Sequence, residues 1–471
     1  MPPQSVLIIG AGAAGLAAAR DLSRAGVEVI VVEARDRIGG RVFTHKHPDS
    51  PVPIELGAEF VHGKSPELWQ IAKAANLHLY EVSERHWYFE GGKVSKSHEF
   101  WRKIESLMSD MKSSKSDQSF KDFIDSLPDD EPTRRAKSMA TRYVEGFHAG
   151  NIERIGIRGL VKANEAADEI GGDKSFRFVD GYDSLMQALW AEAESYGATI
   201  RLETVVRQIH WGGNKVEIVC ESANGDDRFH ASAGVITLPL GVLQATSDAQ
   251  GAVRFIPDLP NRRITAIEKL AMGNVLKINF RFRERFWEDL KIWDEDANPV
   301  SFADAGFFHC PGAPFPTWWT QLPIRAPVLV GWTGGPNADR FRNATVKEAQ
   351  SAGGSRQEAG QRDSATHADS AIVEQAMASV SRIFNISLDD VRAQLFASYM
   401  HDWRDDPFTQ GGYTYVPVEG LESQQILSQP LDDKLFFAGE ATSVGHVGTV
   451  HGAIQTGQRA AKEVLSLGTS H

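Results

Sequence analysis

Ser5 to Arg41 reads SVLIIGAGAAGLAAARDLSRAGVEVIVVEARDRIGGR. Val6–Ile9 is a short apolar run that suits a strand buried on both faces. Gly10, Gly12 and Gly15 stand at its end as G-x-G-x-x-G, and an alanine-rich helical stretch follows. A second apolar run, Val27–Val32, stops at Glu33, eighteen residues after Gly15. Each part has a mechanical reason. Gly10 permits the tight turn, and Gly12 lets backbone approach a pyrophosphate. Gly15 lets the helix pack closely on the strand, and Glu33 can accept hydrogen bonds from a ribose diol. The phosphates are expected at the positive N-terminal end of the helix. In a chain with 42 glycines the motif alone carries little. Strand, helix, strand and terminal acid in register mark a dinucleotide-binding unit.

The next residues, Ala34-Arg35-Asp36-Arg37-Ile38-Gly39-Gly40-Arg41, separate one dinucleotide from another. A nicotinamide enzyme has no need of a second Gly-Gly-Arg here. This one offers flexible backbone N–H groups and a guanidinium for further phosphate or flavin contacts. The stretch resembles the extended FAD fingerprint of the glutathione-reductase-like flavoproteins. That resemblance implies an α/β fold built on an FAD/NAD(P)-binding Rossmann domain.

Composition narrows the partners. A length of 471 residues allows one large domain or two or three ordinary ones, and 42% hydrophobic residues suffice for a buried core. The net charge of −12 argues against nucleic acid as the main partner and mildly favours small cations. Only two cysteines occur, Cys220 and Cys310, so a disulfide framework is excluded and no metal-type spacing is present. No leader precedes the first strand, no run of eighteen apolar residues occurs, and the C-terminus carries no membrane tail. A cytoplasmic protein without a membrane anchor is the expectation.

Along the chain, 99–145 is charged with helical spacing and has polar breaks at 112–117 and 126–132, which suggests an inserted helical layer. Ser184–Tyr196 reads as a helix and Ala198–Leu202 as a strand, with Val205, Val206 and Ile209 continuing the sheet edge. Residues 216–238 read as a hairpin with an Asn-Gly turn at 224–225, leading into a strand Gly234–Leu238. In Asn274–Phe282, Leu276, Ile278, Phe280 and Phe282 share one face, and Val275, Lys277, Asn279 and Arg281 the other. Residues 343–370 are poor in apolar residues and suggest a flexible surface insertion. The nucleotide signals recur at both ends and in the middle. The expected division is therefore a discontinuous FAD-binding domain (1–82, 180–265, 405–471) and an α+β substrate-binding domain (83–179, 266–404, with the insertion).

Five further segments carry chemistry: Leu56-Gly57-Ala58-Glu59-Phe60-Val61-His62-Gly63, Thr237–Leu243, Met272-Gly273-x3-Lys277, Trp403-x2-Asp406-Pro407-x5-Tyr413-x-Tyr415, and Phe437-Ala438-Gly439-Glu440-Ala441-x7-Thr449-Val450-His451-Gly452-Ala453. With the N-terminal fingerprint, their order and spacing resemble the flavin-containing amine oxidase family, which holds monoamine oxidases, polyamine oxidases and lysine-specific histone demethylases. The resemblance runs from residue 5 to about 465, leaves out 343–370 and is weak over 95–140.

The resemblance implies an oxidase that takes a hydride equivalent from the carbon beside an amine nitrogen to flavin N5. The imine would hydrolyse to an aldehyde, and O2 would return as hydrogen peroxide. Lys277 matches the lysine that holds a water at flavin N5. Tyr413 matches one wall of the aromatic site, Trp403 a tryptophan near the flavin, and His62 a polar group facing the substrate amine. Cofactor contacts carried over are Gly10, Gly12, Ala14, Gly15, Glu33, Ala34, Arg35, Gly40, Arg41, Gly57, Ala58, Val206, Gly439, Glu440, Thr449 and Val450. Glu59 and Phe60 are expected to touch flavin through backbone, and His451 to bridge backbone near the last helix. Glu165, Asp168 and Glu169 read as a solvated helix face or, alternatively, as the mouth of a polyamine site.

Two departures from monoamine oxidases stand out. The position that carries their flavin-linking cysteine is Gly412, so FAD is expected to be non-covalent. Their second aromatic wall falls near Thr449, where the string looks more like the polyamine oxidase and demethylase branch. Other readings left open are an amino-acid oxidase, protoporphyrinogen oxidase or desaturase on this scaffold, and a non-catalytic flavin-bound interaction protein.

Overall fold

The structure, a computed structural model, describes residues 3–467 apart from 92, 97–106, 108, 115, 224, 295–297 and 342–369. Ser5–Ile9 forms the centre of a five-stranded parallel sheet, in the order Thr199–Arg201, Glu28–Val32, Ser5–Ile9, Ala233–Ile236, Leu435–Phe437. Both faces are covered, which is why these strands are runs of Val, Ile and Leu and do not alternate. The helix Ala13–Arg24 leaves the central strand directly and packs against Val450–Ser466 and Asp183–Ser195. Small residues set the closeness of that contact. A Cβ on Gly457 would lie 2.1 Å from the Ala14 carbonyl oxygen.

Val205–His210 does not extend the parallel sheet as expected. It belongs to a separate four-stranded sheet, ordered Gly225–Ala231, Val216–Ser222, Val205–His210, Arg254–Ile256. Its alternating residues Val206, Ile209, Val216 and Ile218 cover the apolar underside formed by Leu7, Ile9, Val32 and Ile236. Period-two spacing identifies a half-buried strand but cannot say which sheet it joins. In the hairpin, Ser222 pairs with Gly225, so Gly225, read as part of the turn, already belongs to the second strand. Asn224 itself lies outside the described residues.

Val275–Phe282 sits inside a seven-stranded sheet, between Leu395–Met400 and Val328–Gly334. Leu276, Ile278, Phe280 and Phe282 enter an aromatic core with Trp287, Phe315 and Trp318. The opposite face is buried as well. Lys277 is only 4% exposed and Asn279 only 2%. Asn279 Nδ2 donates to the Glu55 carbonyl, which fastens the 54–60 segment over that face.

The helical layer comprises Phe120–Ser126, Glu131–Phe147 and Ile157–Glu169 around Phe120, Phe123, Val144 and Leu160. Its break at 126–132 is where Asp130 caps the second helix, accepting from Thr133 N at 2.9 Å. The insertion read at 343–370 lies outside the described residues except for Ser370, which opens the helix Ser370–Phe384. Among the described residues no helix is long and apolar enough to cross a membrane, and no group of metal-ligating side chains occurs.

Candidate active site

A cavity of about 1910 Å³ runs from the glycine turn at the end of the central strand to the aromatic edge of the seven-stranded sheet. Every residue singled out above for cofactor or catalysis lines it except Gly15. Gly15 is instead the contact between helix and strand: a Cβ there would sit 1.9 Å from the Gly10 carbonyl oxygen.

The nucleotide end is a cradle of backbone. Gly10 adopts φ +105°, a left-handed value that favours glycine. A Cβ on Gly12 would meet nothing within 4 Å, so this backbone stands open to the cavity. Gly39 N donates to Ala11 O at 2.8 Å, which joins the two glycine loops. Ala13–Arg24 has no side-chain cap at its N-terminus, which leaves its first N–H groups for a ligand. Glu33 accepts from Ala11 N at 2.7 Å and Arg35 N at 3.0 Å. A carboxylate has about four acceptor sites, so capacity for a diol remains. Val206 lines the cavity at an irregular step in its strand. These features fit a dinucleotide with its diphosphate at Gly12 and its ribose at Glu33.

The guanidinium groups tie loops together. Arg35 Nη2 donates to Asp406 at 2.5 Å and Thr409 at 2.8 Å. Arg41 Nη1 donates to the Gly412 carbonyl and to Glu440, both at 2.9 Å. Glu440 also accepts from Thr414 Oγ1 and Gly448 N, each at 2.9 Å, so one buried carboxylate fastens three segments around the cavity. Thr449 caps Val450–Ser466: its hydroxyl donates to His446 O at 2.7 Å and accepts from Gly452 N at 3.0 Å.

At the other end Lys277 Nζ donates to the Gly57 carbonyl at 2.6 Å and to Glu59 Oε2 at 3.2 Å. Burial lowers its pKa, while Glu59 and Glu55 pull it back up. Burial pushes the Glu55 carboxyl up to about 7. Burial also pushes on Glu59, but Arg177, Lys277 and Trp319 together hold it below the usual carboxylate range.

Tyr413 donates its hydroxyl to Phe147 O at 2.6 Å, and Trp332 donates Nε1 to the neighbouring Gly146 O at 2.9 Å. The two rings lie near-parallel, 12° apart with centroids 6.5 Å apart. His62 lies between the Phe60 and Phe147 rings, within hydrogen-bond distance of Ser175 Oγ (3.3 Å), and burial lowers its pKa so that it is neutral at pH 7. Trp403 is 4% exposed, donates Nε1 to Leu56 O at 3.0 Å and packs its edge over Gly57. His451 does not bridge backbone as expected; its Nε2 pairs with His446 Nδ1 at 3.1 Å. Glu165 pairs with surface lysines Lys112 and Lys162, and Asp168 and Glu169 are exposed.

Sequence reading passed over Trp332, Trp319, Arg177 and the side chain of Glu59. Trp332 had one available signal. It is the register partner of Lys277 across antiparallel strands, and partners in such a ladder present side chains to the same face.

The sequence profile described as flavin containing amine oxidoreductase matches residues 13–465. Among curated proteins, "Probable polyamine oxidase 4" of Arabidopsis thaliana is 29% identical over 97% of this chain and 86% of its own length. "Lysine-specific histone demethylase 2" of Homo sapiens is 27% identical over 98% of this chain, which spans only 53% of the demethylase. Among solved structures, putrescine oxidase bound to putrescine superposes with a TM-score of 0.76 at 19% identity, covering 98% of this chain and 99% of that one, a likeness of fold. Both cysteines are buried and neither lines the cavity, so no thiol is placed to bond a flavin. With its backbone cradle and its profile match in agreement, the chain belongs to the flavin-containing amine oxidoreductase family, oxidoreductases of CH–NH groups, and is polyamine-oxidase-like with non-covalent FAD.

Proposed function

We propose that the chain oxidises a primary or secondary amine to an imine at the Lys277–Tyr413 end of the cavity, with water splitting the imine into an aldehyde and ammonia or a smaller amine, and O2 reduced to hydrogen peroxide. The observation that carries this reading is one continuous cavity. It joins a dinucleotide cradle to a buried lysine amine facing the same way as Trp332, beside Tyr413. FAD, when bound, supplies the two-electron acceptor that takes a hydride equivalent from the carbon beside nitrogen. It would be held by Gly10, Gly12, Ala14, Glu33, Ala34, Gly40, Gly57, Ala58, Val206, Gly439 and Val450, with Arg35, Arg41 and Glu440 keeping the surrounding loops in place. The domain division is part of the proposal: residues 1–82, 180–265 and 405–471 hold the cofactor, and 83–179 with 266–404 hold the substrate.

The protein's part is binding, orientation and exclusion of water. Tyr413 and Trp332, pinned by consecutive carbonyls of one helix end, orient the amine. His62, neutral and half-buried, accepts a hydrogen bond from the amine nitrogen. Trp403 and Phe60 keep the pocket dry, and Lys277 presents an N–H to a water or to the cofactor. Desolvation lowers an ammonium pKa, so the substrate reacts as the neutral amine. Both the amine and His62 are needed unprotonated, so the rate rises with pH above neutral and falls in acid.

Anaerobic addition of a monoamine, putrescine, spermidine or spermine to the yellow holoenzyme is expected to bleach the flavin, with peroxide formed when air returns. Bleaching by L-amino acids alone, or by none of these compounds, overturns the reading. Trp332→Ala is expected to raise KM for the amine about tenfold while kcat changes little, the size of about 1.4 kcal/mol of lost apolar contact with the ring. Steady-state kinetics on the best amine of the panel measure both constants.

A further inference from the structure

Lys277, Glu59 and Arg177 come from distant parts of the chain and meet in one buried ion cluster behind the cavity wall. Lys277 lies in the strand Val275–Phe282 and Arg177 in Ser175–Phe178, while Glu59 sits just before Val61–His62. All three side chains are 4% exposed. Glu59 Oε2 faces Lys277 Nζ at 3.2 Å, and Oε1 lies 2.8 Å from Arg177 Nε and accepts from Trp319 Nε1 at 2.9 Å. Arg177 in turn lies over the Phe60 ring, 4.6 Å from its centroid. Glu59 thus uses its carboxylate inside the protein, where the resemblance had assigned it backbone contact only.

Donor counting gives the cluster a direction. An ammonium carries three N–H donors. The Gly57 carbonyl and Glu59 take two, and Lys277 lines the cavity, so the third is available there. The other charged group close by, Glu55, is held by Tyr182 N at 2.8 Å and Thr44 Oγ1 at 2.7 Å and acts on Lys277 only through space. Tyr80 stands behind Arg177 and faces that guanidinium. Stability gives little reason for such a cluster, because apolar residues of similar volume commonly replace buried ion pairs without loss.

We propose that Glu59, backed by Arg177, is a positioning residue that keeps Lys277 as an ammonium and aims its remaining N–H into the cavity. The functional value of this rests on the reading that the amine is oxidised at the Lys277 end. A fixed cation there disfavours a second one nearby, so the site admits its substrate as the neutral amine.

The test is the titration of Lys277 itself in the FAD-loaded enzyme. The protein is labelled with ¹³Cε-lysine, and the Lys277 signal is assigned by its absence in Lys277→Met. Glu59→Gln preserves shape and removes charge. It is expected to lower the midpoint of the Lys277 signal by about one pH unit or more, the usual effect of losing an opposite charge at contact. Glu59→Asp, which withdraws the carboxylate by one methylene, is expected to fall between wild type and Glu59→Gln. Glu55→Gln is expected to shift the midpoint less than Glu59→Gln.

An unchanged midpoint in Glu59→Gln, or a shift in Glu55→Gln as large, overturns the proposal. If the wild-type signal shows no midpoint below pH 11, one must enter the range in Glu59→Gln; its absence from both is equally fatal. Should Glu59→Gln not fold, Glu59→Asp carries the test, and an unchanged midpoint there overturns it. The titration needs no turnover. An enzyme that titrates as described but is not bleached by amines therefore defeats the amine-oxidation reading and leaves the Glu59 assignment standing.

Discussion

Gly15→Val is expected to yield a chain that folds poorly and holds no flavin, whereas Gly12→Ala folds normally and loses FAD affinity. The two glycines lie three residues apart in one motif, yet the space around them differs completely. A Cβ on Gly15 meets the Gly10 carbonyl oxygen at 1.9 Å and Thr237 Oγ1 at 3.2 Å. The first of these is backbone and cannot swing aside. The helix Ala13–Arg24 would have to lift from the sheet, breaking its contact with Val450–Ser466 as well. A cost of about 3 kcal/mol is the expected scale for overpacking of this kind, a large fraction of the stability of a domain. At Gly12 the added methyl group meets no protein atom within 4 Å. It occupies space that the cofactor's diphosphate needs and pushes it off the helix N-terminus. Losing one charge-assisted backbone hydrogen bond weakens binding roughly 10- to 100-fold. Thermal unfolding of the apoprotein separates the variants, and FAD titration followed by flavin fluorescence gives the affinity. Equal unfolding temperatures for the two would mean that the helix is not seated on Gly10.

This contrast shows which parts of the molecule were legible in the sequence. The nucleotide end was readable because each residue's job is local: a turn, a close approach, an acid at a strand end. The same holds for the break at 126–132, where Asp130 and Pro132 announce a helix start. The face of Val275–Phe282 that enters the aromatic core followed from alternation alone. Where contacts are long-range, pattern stopped short. Val205–His210 alternates equally well in either of two sheets. The burial of Lys277 depends on a segment about 220 residues away folding over its strand, as its bond to Gly57 shows. Trp332 and Arg177 belong to runs, VLVGWTG and SFRF, that read as ordinary strands. Nothing in a strand marks the member that will face a cavity until the neighbouring strands are placed. His451 illustrates the same limit, since its partner His446 is near in sequence but only the turn before Val450 brings the rings together.

Lys277→Met is expected to cut turnover by about 10²-fold or more, the usual scale for removing a positioned proton-handling group. KM for the amine should change little and FAD should stay bound. The reasoning starts from what the substitution leaves behind. Methionine fills most of the volume along the strand, so the seven-stranded sheet keeps its packing. Glu59 retains Arg177 and Trp319, and so remains an ionised, partnered carboxylate. The Gly57 carbonyl loses its donor, a local cost of about 1–3 kcal/mol for an unsatisfied buried acceptor, which the fold should survive. The nucleotide cradle and Glu440 are untouched. What disappears is the Lys277 ammonium N–H at the cavity wall, on the face shared with Trp332. Lys277→Arg is not a conservative control, because a planar fork cannot reproduce a point donor 2.6 Å from one carbonyl in this space. Trp332→Ala is the informative comparison. Trp332 is the register partner of Lys277, so both changes alter the same face of the same sheet. A substrate-orienting ring should act on KM and the lysine on kcat. Rapid-mixing measurements of the amine-driven and oxygen-driven half-reactions then show which one Lys277 serves. Should Lys277→Met match the wild type in both, the buried amine is a structural strut and the chemical centre lies elsewhere in the cavity.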